Sequence, residues 1–97
     1  MSNTLSSSSD PQHQEQARFF IDVIRKNLID LRRQADMTQS ELARRMYYSA
    51  STVSNFERGE REMTLVWVCG VCHILGVNSL SVVSCAVEKT RKEFDPR

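Results

Sequence analysis

Two helix-start signals, Thr38 and Ser49, stand eleven positions apart, and the stretch between them has room for one short helix and a tight turn. Thr38 precedes Glu41 by three positions, the S/T-x-x-E spacing that satisfies the free amides at a helix start. The helix opened there runs to about Met46, with Leu42, Ala43 and Met46 as its apolar face and Arg44 and Arg45 left outside. Ser49, after Tyr47 and Tyr48, then caps a further short helix whose inward positions are Val53 and Phe56 and whose end is marked by Gly59. The consequence is a pair of short helices held together by a tight turn.

The flanking sequence supplies the support for that pair. Upstream, Ala17, Phe20, Ile21, Ile24, Leu28, Leu31 and Ala35 recur at three- and four-residue steps, one stripe of a long first helix from about Gln12 to about Asp36. Downstream, Thr64 caps a fourth helix, Leu65 to Leu75, closed by Gly76, and Asn78 or Ser79 caps a fifth that reaches about Glu88. No strand-like alternation and no internal repeat interrupts this pattern. The reading is therefore all-α, five helices with an extended first one, in a domain over residues 12–88. Residues 1–11, rich in Ser, are expected to be a flexible tail, and residues 89–97 a charged tail that frays.

Size and charge limit what such a domain can do. A chain of 97 residues holds one domain. The mostly apolar run Leu65 to Cys72 stops at His73, well short of the ~20 residues needed to span a bilayer, so no membrane role is expected. The N-terminus has neither the basic start nor the apolar stretch of a secretory signal, and three cysteines suit reduced thiols better than a disulfide framework. A cytoplasmic protein is the expectation. Net charge is only +1, yet between Arg18 and Arg61 nine basic residues face six acidic ones, a local surplus that the total conceals. Local surplus matters for a polyanionic partner.

At this point the residues carry a resemblance. The run TQSELARRMYYSASTVSNFERGE, Thr38 to Glu60, followed by LVWVCGVCHILGV, Leu65 to Val77, resembles the helix-turn-helix domain of the phage repressor and Cro class, also called the xenobiotic-response-element-like family. The matching features are Thr38-Gln39, Glu41-Leu42-Ala43, Ser49 with Val53-Ser54, Glu57 with Gly59, and Leu75-Gly76-Val77, and the likeness spans about Ile24 to Val83. It implies a five-helix, lambda-repressor-like fold and a regulator that binds double-stranded DNA. It further implies that Gln39 holds a phosphate at the start of the second helix, and that Arg32 and Glu57 form a structural salt bridge between the first helix and the end of the third. One position departs from the family: its turn usually holds Gly, where φ is positive, and this chain has Tyr47. A bulky residue there costs on the order of 1 kcal/mol, so the turn is reshaped or the ring recovers that cost by packing. One of the two tyrosines is expected to pack.

The chemistry of the arrangement stands beside the resemblance. A helix held outward at a fixed angle fits the major groove while its partner crosses the backbone. Counted from the cap, the outward residues of the third helix are Ala50, Ser51, Ser54 and Asn55, the candidate base readers. Asn pairs with adenine N6 and N7, Ser donates or accepts, and Ala packs on a thymine methyl. Candidate phosphate contacts are Thr38, Gln39, Arg44, Ser49, Thr52, Arg58 and Arg61. Apolar residues on the outer helices exceed what a core of this size covers, so Val66, Trp67, Val82, Val83 and Val87 are the candidate homodimer interface.

Two other readings of the sequence compete with this one. Cys69, Cys72 and His73 spell C-x-x-C-H, a haem-attachment or metal half-site pattern. Yet periodicity places Leu65, Val68, Cys72 and Leu75 on one inward stripe, where a buried Cys behaves as a small hydrophobe. No cofactor, no metal and no enzymatic activity is expected, because no nucleophile elbow, P-loop or H-E-x-x-H pattern occurs. The biological roles left open are a repressor or controller, an antitoxin-type or protein-interaction module of the same fold with a toxin or other protein partner, and a thiol-sensing regulator working through Cys69 and Cys72.

Overall fold

A computed structural model describes residues 10–95. Their elements are five helices: α1 (Pro11–Gln34), α2 (Gln39–Met46), α3 (Ala50–Arg58), α4 (Leu65–Leu75) and α5 (Ser79–Phe94). No strand occurs among the described residues.

Local chemistry accounts for nearly every helix end. Asp10 caps α1 by accepting the Gln12 N–H at 3.0 Å, with Pro11 in the first helical position, where its missing N–H costs nothing. Asp10 and Pro11 thus belong to the folded unit rather than to the expected tail, whose residues 1–9 lie outside the described ones. Thr38 Oγ1 accepts the Glu41 N–H at 3.0 Å. The Glu41 carboxylate accepts from Arg44 at 2.6 Å and Arg45 at 3.0 Å. Ser49, Thr64 and Asn78 cap α3, α4 and α5 through the N–H groups of Thr52, Trp67 and Leu80. Gly59 and Gly76 end α3 and α4 in the left-handed region, φ 77° and 72°, which glycine enters without steric cost.

The core gathers the inward faces. Ile24 and Leu28 of α1, Leu42 and Ala43 of α2, Val53 and Phe56 of α3, Trp67, Val68, Val71 and Cys72 of α4, and Val82 and Ala86 of α5 are all buried. Full burial of a large apolar side chain stabilises by about 1.5–3 kcal/mol, so these twelve residues dominate the fold's favourable energy. At its centre the rings of Phe56 and Trp67 stack, 4.1 Å between centroids and 9° from parallel. At Gly70 of α4 the end of the Met46 side chain lies close, 2.7 Å from where a Cβ would stand.

Three sequence expectations are corrected here. Trp67 and Val82, both expected at a dimer surface, are 3% and 6% exposed and belong to the core. The reason is that α4 is apolar almost all round, so periodicity does not select its inward face. The inward stripe takes Trp67 and Val71, while Leu65, expected inside, is 78% exposed. Second, α5 continues past Glu88 to Phe94. Its extension is held by the Thr90 hydroxyl donating to the Ala86 carbonyl at 2.7 Å, and by Phe94 meeting Phe19 of α1 edge to face, 5.6 Å between centroids. Third, Ala17 and Ala35 at the ends of the α1 stripe are exposed, because the helix overreaches the core at both ends.

Candidate nucleic-acid interface

The α2–turn–α3 unit is built around the buried side of α3. Val53 and Phe56 anchor that helix in the core, which turns the opposite side outward, and there Ala50 and Ser51 are exposed while Ser54 and Asn55 are half-buried. The angle between the two helices is set at Tyr47, which occupies the left-handed region with φ 61° and ψ 36°. The Tyr48 N–H closes the turn on the Ala43 carbonyl at 2.9 Å. Of the two tyrosines, Tyr48 packs, its ring 5.8 Å from Trp67 and 6.4 Å from Phe56. Tyr47 is 96% exposed, so its ring recovers none of the turn's steric cost.

One ion pair locks this unit to α1. Arg32 donates from Nε to Glu57 Oε2 at 2.7 Å and from Nη2 to Oε1 at 2.9 Å, and from Nη1 to the Met37 carbonyl at 2.7 Å. Gln39 Nε2 adds a further donor to Glu57 Oε1 at 2.8 Å. The side chains of Arg32 and Glu57 are only 8% and 10% exposed. A charge pair so shielded from water is tolerable because its geometry is two-pronged and Gln39 supplies the carboxylate with a third donor. Through Gln39 the same carboxylate reaches the first residue of α2, so one Glu ties together α1, α2 and α3.

Of the polar groups named from the sequence as phosphate contacts, Thr38, Arg44, Ser49, Arg58 and Arg61 are exposed, and Gln39 and Thr52 are half-buried. Thr38 and Ser49 are exposed caps, with Ser49 Oγ 2.8 Å from Thr52 Oγ1 and 3.1 Å from Ser51 Oγ. Arg44 is exposed beside Glu41, and the Arg44 and then the Arg45 guanidinium hold that carboxyl below its usual range. Arg61 lies over the face of Phe56, 5.2 Å from guanidinium carbon to ring centroid. Arg58 donates to Ser54 Oγ, to Asn55 Oδ1 at 2.8 Å and, from Nη2 and Nε, to Glu60 at 3.0 and 3.2 Å. In turn the Arg58 guanidinium lowers the pKa of Glu60. This network was not foreseen, although an i,i+3 and i,i+4 spacing from Arg58 to Asn55 and Ser54 is legible in the sequence.

Elsewhere the named residues separate. Val66 and Val87 are 75% and 48% exposed, joined by Leu65 and by Leu80 at 72%, which the sequence reading passed over. Val83 is half-buried. Cys69 is exposed and Cys72 buried, and burial first, the neighbouring Cys69 second, push the Cys72 thiol up from its ordinary value. Among the described residues no group of three or more His, Cys, Asp or Glu comes together to hold a metal ion. Nor is any described helix long and apolar enough to cross a membrane.

Comparison with known proteins agrees with this geometry. Two crystal structures of the clp gene regulator ClgR from Corynebacterium glutamicum superpose on the chain. One matches with a TM-score of 0.65 at 26% identity, over 76% of this chain and 79% of that one. The other has a TM-score of 0.63 at 27% identity, over 72% of this chain and 91% of that one. No curated protein matches the chain by sequence. Residues 27–82 match the family described as helix-turn-helix domain. That match takes in the end of α1, the whole α2–turn–α3 unit, α4 and the start of α5, more than half of the chain, and the protein belongs to the helix-turn-helix domain family.

Proposed function

We propose that this protein is a sequence-specific DNA-binding regulator of transcription that engages a pseudo-palindromic operator as a homodimer in the cytoplasm. The observation that carries the reading is the outward side of α3, where Ala50, Ser51, Ser54 and Asn55 stand opposite the buried Val53 and Phe56. An exposed helix braced in this way suits the major groove, with α2 across the backbone. The likeness to ClgR, a protein described as a clp gene regulator, supports a regulatory role.

In this reading Ala50, Ser51, Ser54 and Asn55 face base edges. Thr38, Gln39, Arg44, Ser49, Thr52 and Arg61 face phosphates, while Arg58, expected among them, is engaged with Ser54, Asn55 and Glu60 instead. Gln39 gives one amide N–H to Glu57 and keeps a second for a phosphate oxygen. The dimer forms through the exposed Val66, Val87 and Leu80 of the outer helices together with the half-buried Val83, and without Trp67 or Val82. Two copies place two reading helices about one helical turn, ~34 Å, apart, which compensates for a small reading surface. A gel shift with the DNA upstream of the protein's own gene tests the proposal. A discrete complex that random DNA competes poorly is expected, and the absence of any shift across that region overturns the reading.

A further inference from the structure

Within α3 two of the three polar base readers, Ser54 and Asn55, are not independent side chains. Arg58, one turn further along, donates to Ser54 Oγ and, from Nη2, to Asn55 Oδ1 at 2.8 Å. Its plane is fixed from the other side by Glu60, which accepts from Nη2 at 3.0 Å and from Nε at 3.2 Å. The amide orientation of Asn55 follows: with the oxygen turned to a guanidinium, the Nδ2 amino group is the part left to face outward. A similar argument holds for Ser54. Its oxygen already accepts from Arg58, so its own O–H proton is available to donate.

We infer that Arg58 is a positioning residue that sets the hydrogen-bonding sense of the reading surface, presenting Ser54 and Asn55 to DNA as donors and thereby selecting guanine over adenine. The inference rests on the DNA-binding reading above and refines it. Guanine shows two acceptors, N7 and O6, in the major groove, whereas adenine shows N7 beside the donating N6 amino group. An Asn recognises adenine by donating to N7 and accepting from N6. With the Asn oxygen turned toward Arg58, the amino end of the amide is what faces the base edge, so the N6 amino group of adenine meets a donor. The positive charge of Arg58 adds to the preference for an acceptor-rich edge. Thymine O4, a single acceptor beside a methyl, ranks second, and cytosine N4, a donor, is disfavoured.

Selection of binding sites from a randomised duplex library tests this with the full-length protein. The profile of Asn55→Ala identifies the position in each half-site that Asn55 reads. The wild type is expected to select guanine there, and Arg58→Met, which keeps an apolar stem and removes the donors, is expected to shift that one position toward adenine by roughly tenfold in relative affinity. Arg58→Ala and Glu60→Gln serve as second variants, the latter with a smaller shift in the same direction, and circular dichroism checks that each is folded. A merely electrostatic role for Arg58 predicts something else: a uniform loss on all sequences with the base profile unchanged, and that result overturns the inference while leaving DNA binding intact. Adenine selected by the wild type at the Asn55 position overturns it as well. If the wild type selects no sequence at all, the DNA-binding reading itself fails, and the inference with it.

Discussion

The guanidinium of Arg32 and the carboxylate of Glu57 meet at two points, 2.7 and 2.9 Å, and so join α1 to the end of α3 across 25 residues of chain. Glu57 also accepts from Gln39 at the first turn of α2, so the pair fixes the tilt of α3 against both of its neighbours. A carboxylate this close to a surface proposed to face phosphates is compatible with DNA only because its charge is matched.

Removing one member leaves the other shielded from water without its partner. Arg32→Met and Glu57→Met are each expected to lower stability by about 3 kcal/mol, within the range for breaking a buried pair. The double variant is expected to lose less than the sum, since two apolar side chains leave no unmatched charge. Urea denaturation of the four proteins gives the coupling energy directly. Strict additivity would mean that the two charges do not sense one another.

Tyr47 holds a left-handed conformation with its ring in solvent. Tyr47→Gly is therefore expected to stabilise the protein by about 1 kcal/mol, because the steric cost disappears and no packing is lost. For a domain of this size that corresponds to a rise in Tm of roughly 4–8 °C. A fall in Tm would show that the ring makes stabilising contacts.

Trp67 and the exposed valines respond to substitution in different ways. Trp67→Ala is expected to cost about 3–5 kcal/mol through the cavity it leaves against Phe56, whatever the oligomeric state. Leu80→Glu with Val87→Glu, both at exposed positions, is expected to leave the fold intact and convert the proposed dimer to monomer in sedimentation. A double variant that stays dimeric places the interface on another face.

On DNA, Gln39→Ala is expected to weaken binding to every sequence alike, whereas Asn55→Ala relaxes preference at one position per half-site. If about six phosphates are neutralised per dimer, log K falls against log salt with a slope near −5. Equal losses for both variants on specific and random duplexes would remove Asn55 from a reading role.

The sequence by itself determined the starts of α2 to α5 and the ends of α3 and α4, because Thr38, Ser49, Thr64, Asn78, Gly59 and Gly76 act through backbone groups within a few residues of themselves. It also determined the inward side of α3, where Val53 and Phe56 are flanked by polar residues and the period is unambiguous. Tertiary structure alone decided which side of α4 is buried, since a helix apolar nearly all round carries no local preference and turns whichever face its neighbours cover. That is why Trp67 stacks on Phe56 while Leu65 stands in solvent. The reach of α5 to Phe94 was decided in the same way, by an aromatic contact with Phe19 that is 75 residues distant in the chain and adjacent only once α1 and α5 have packed.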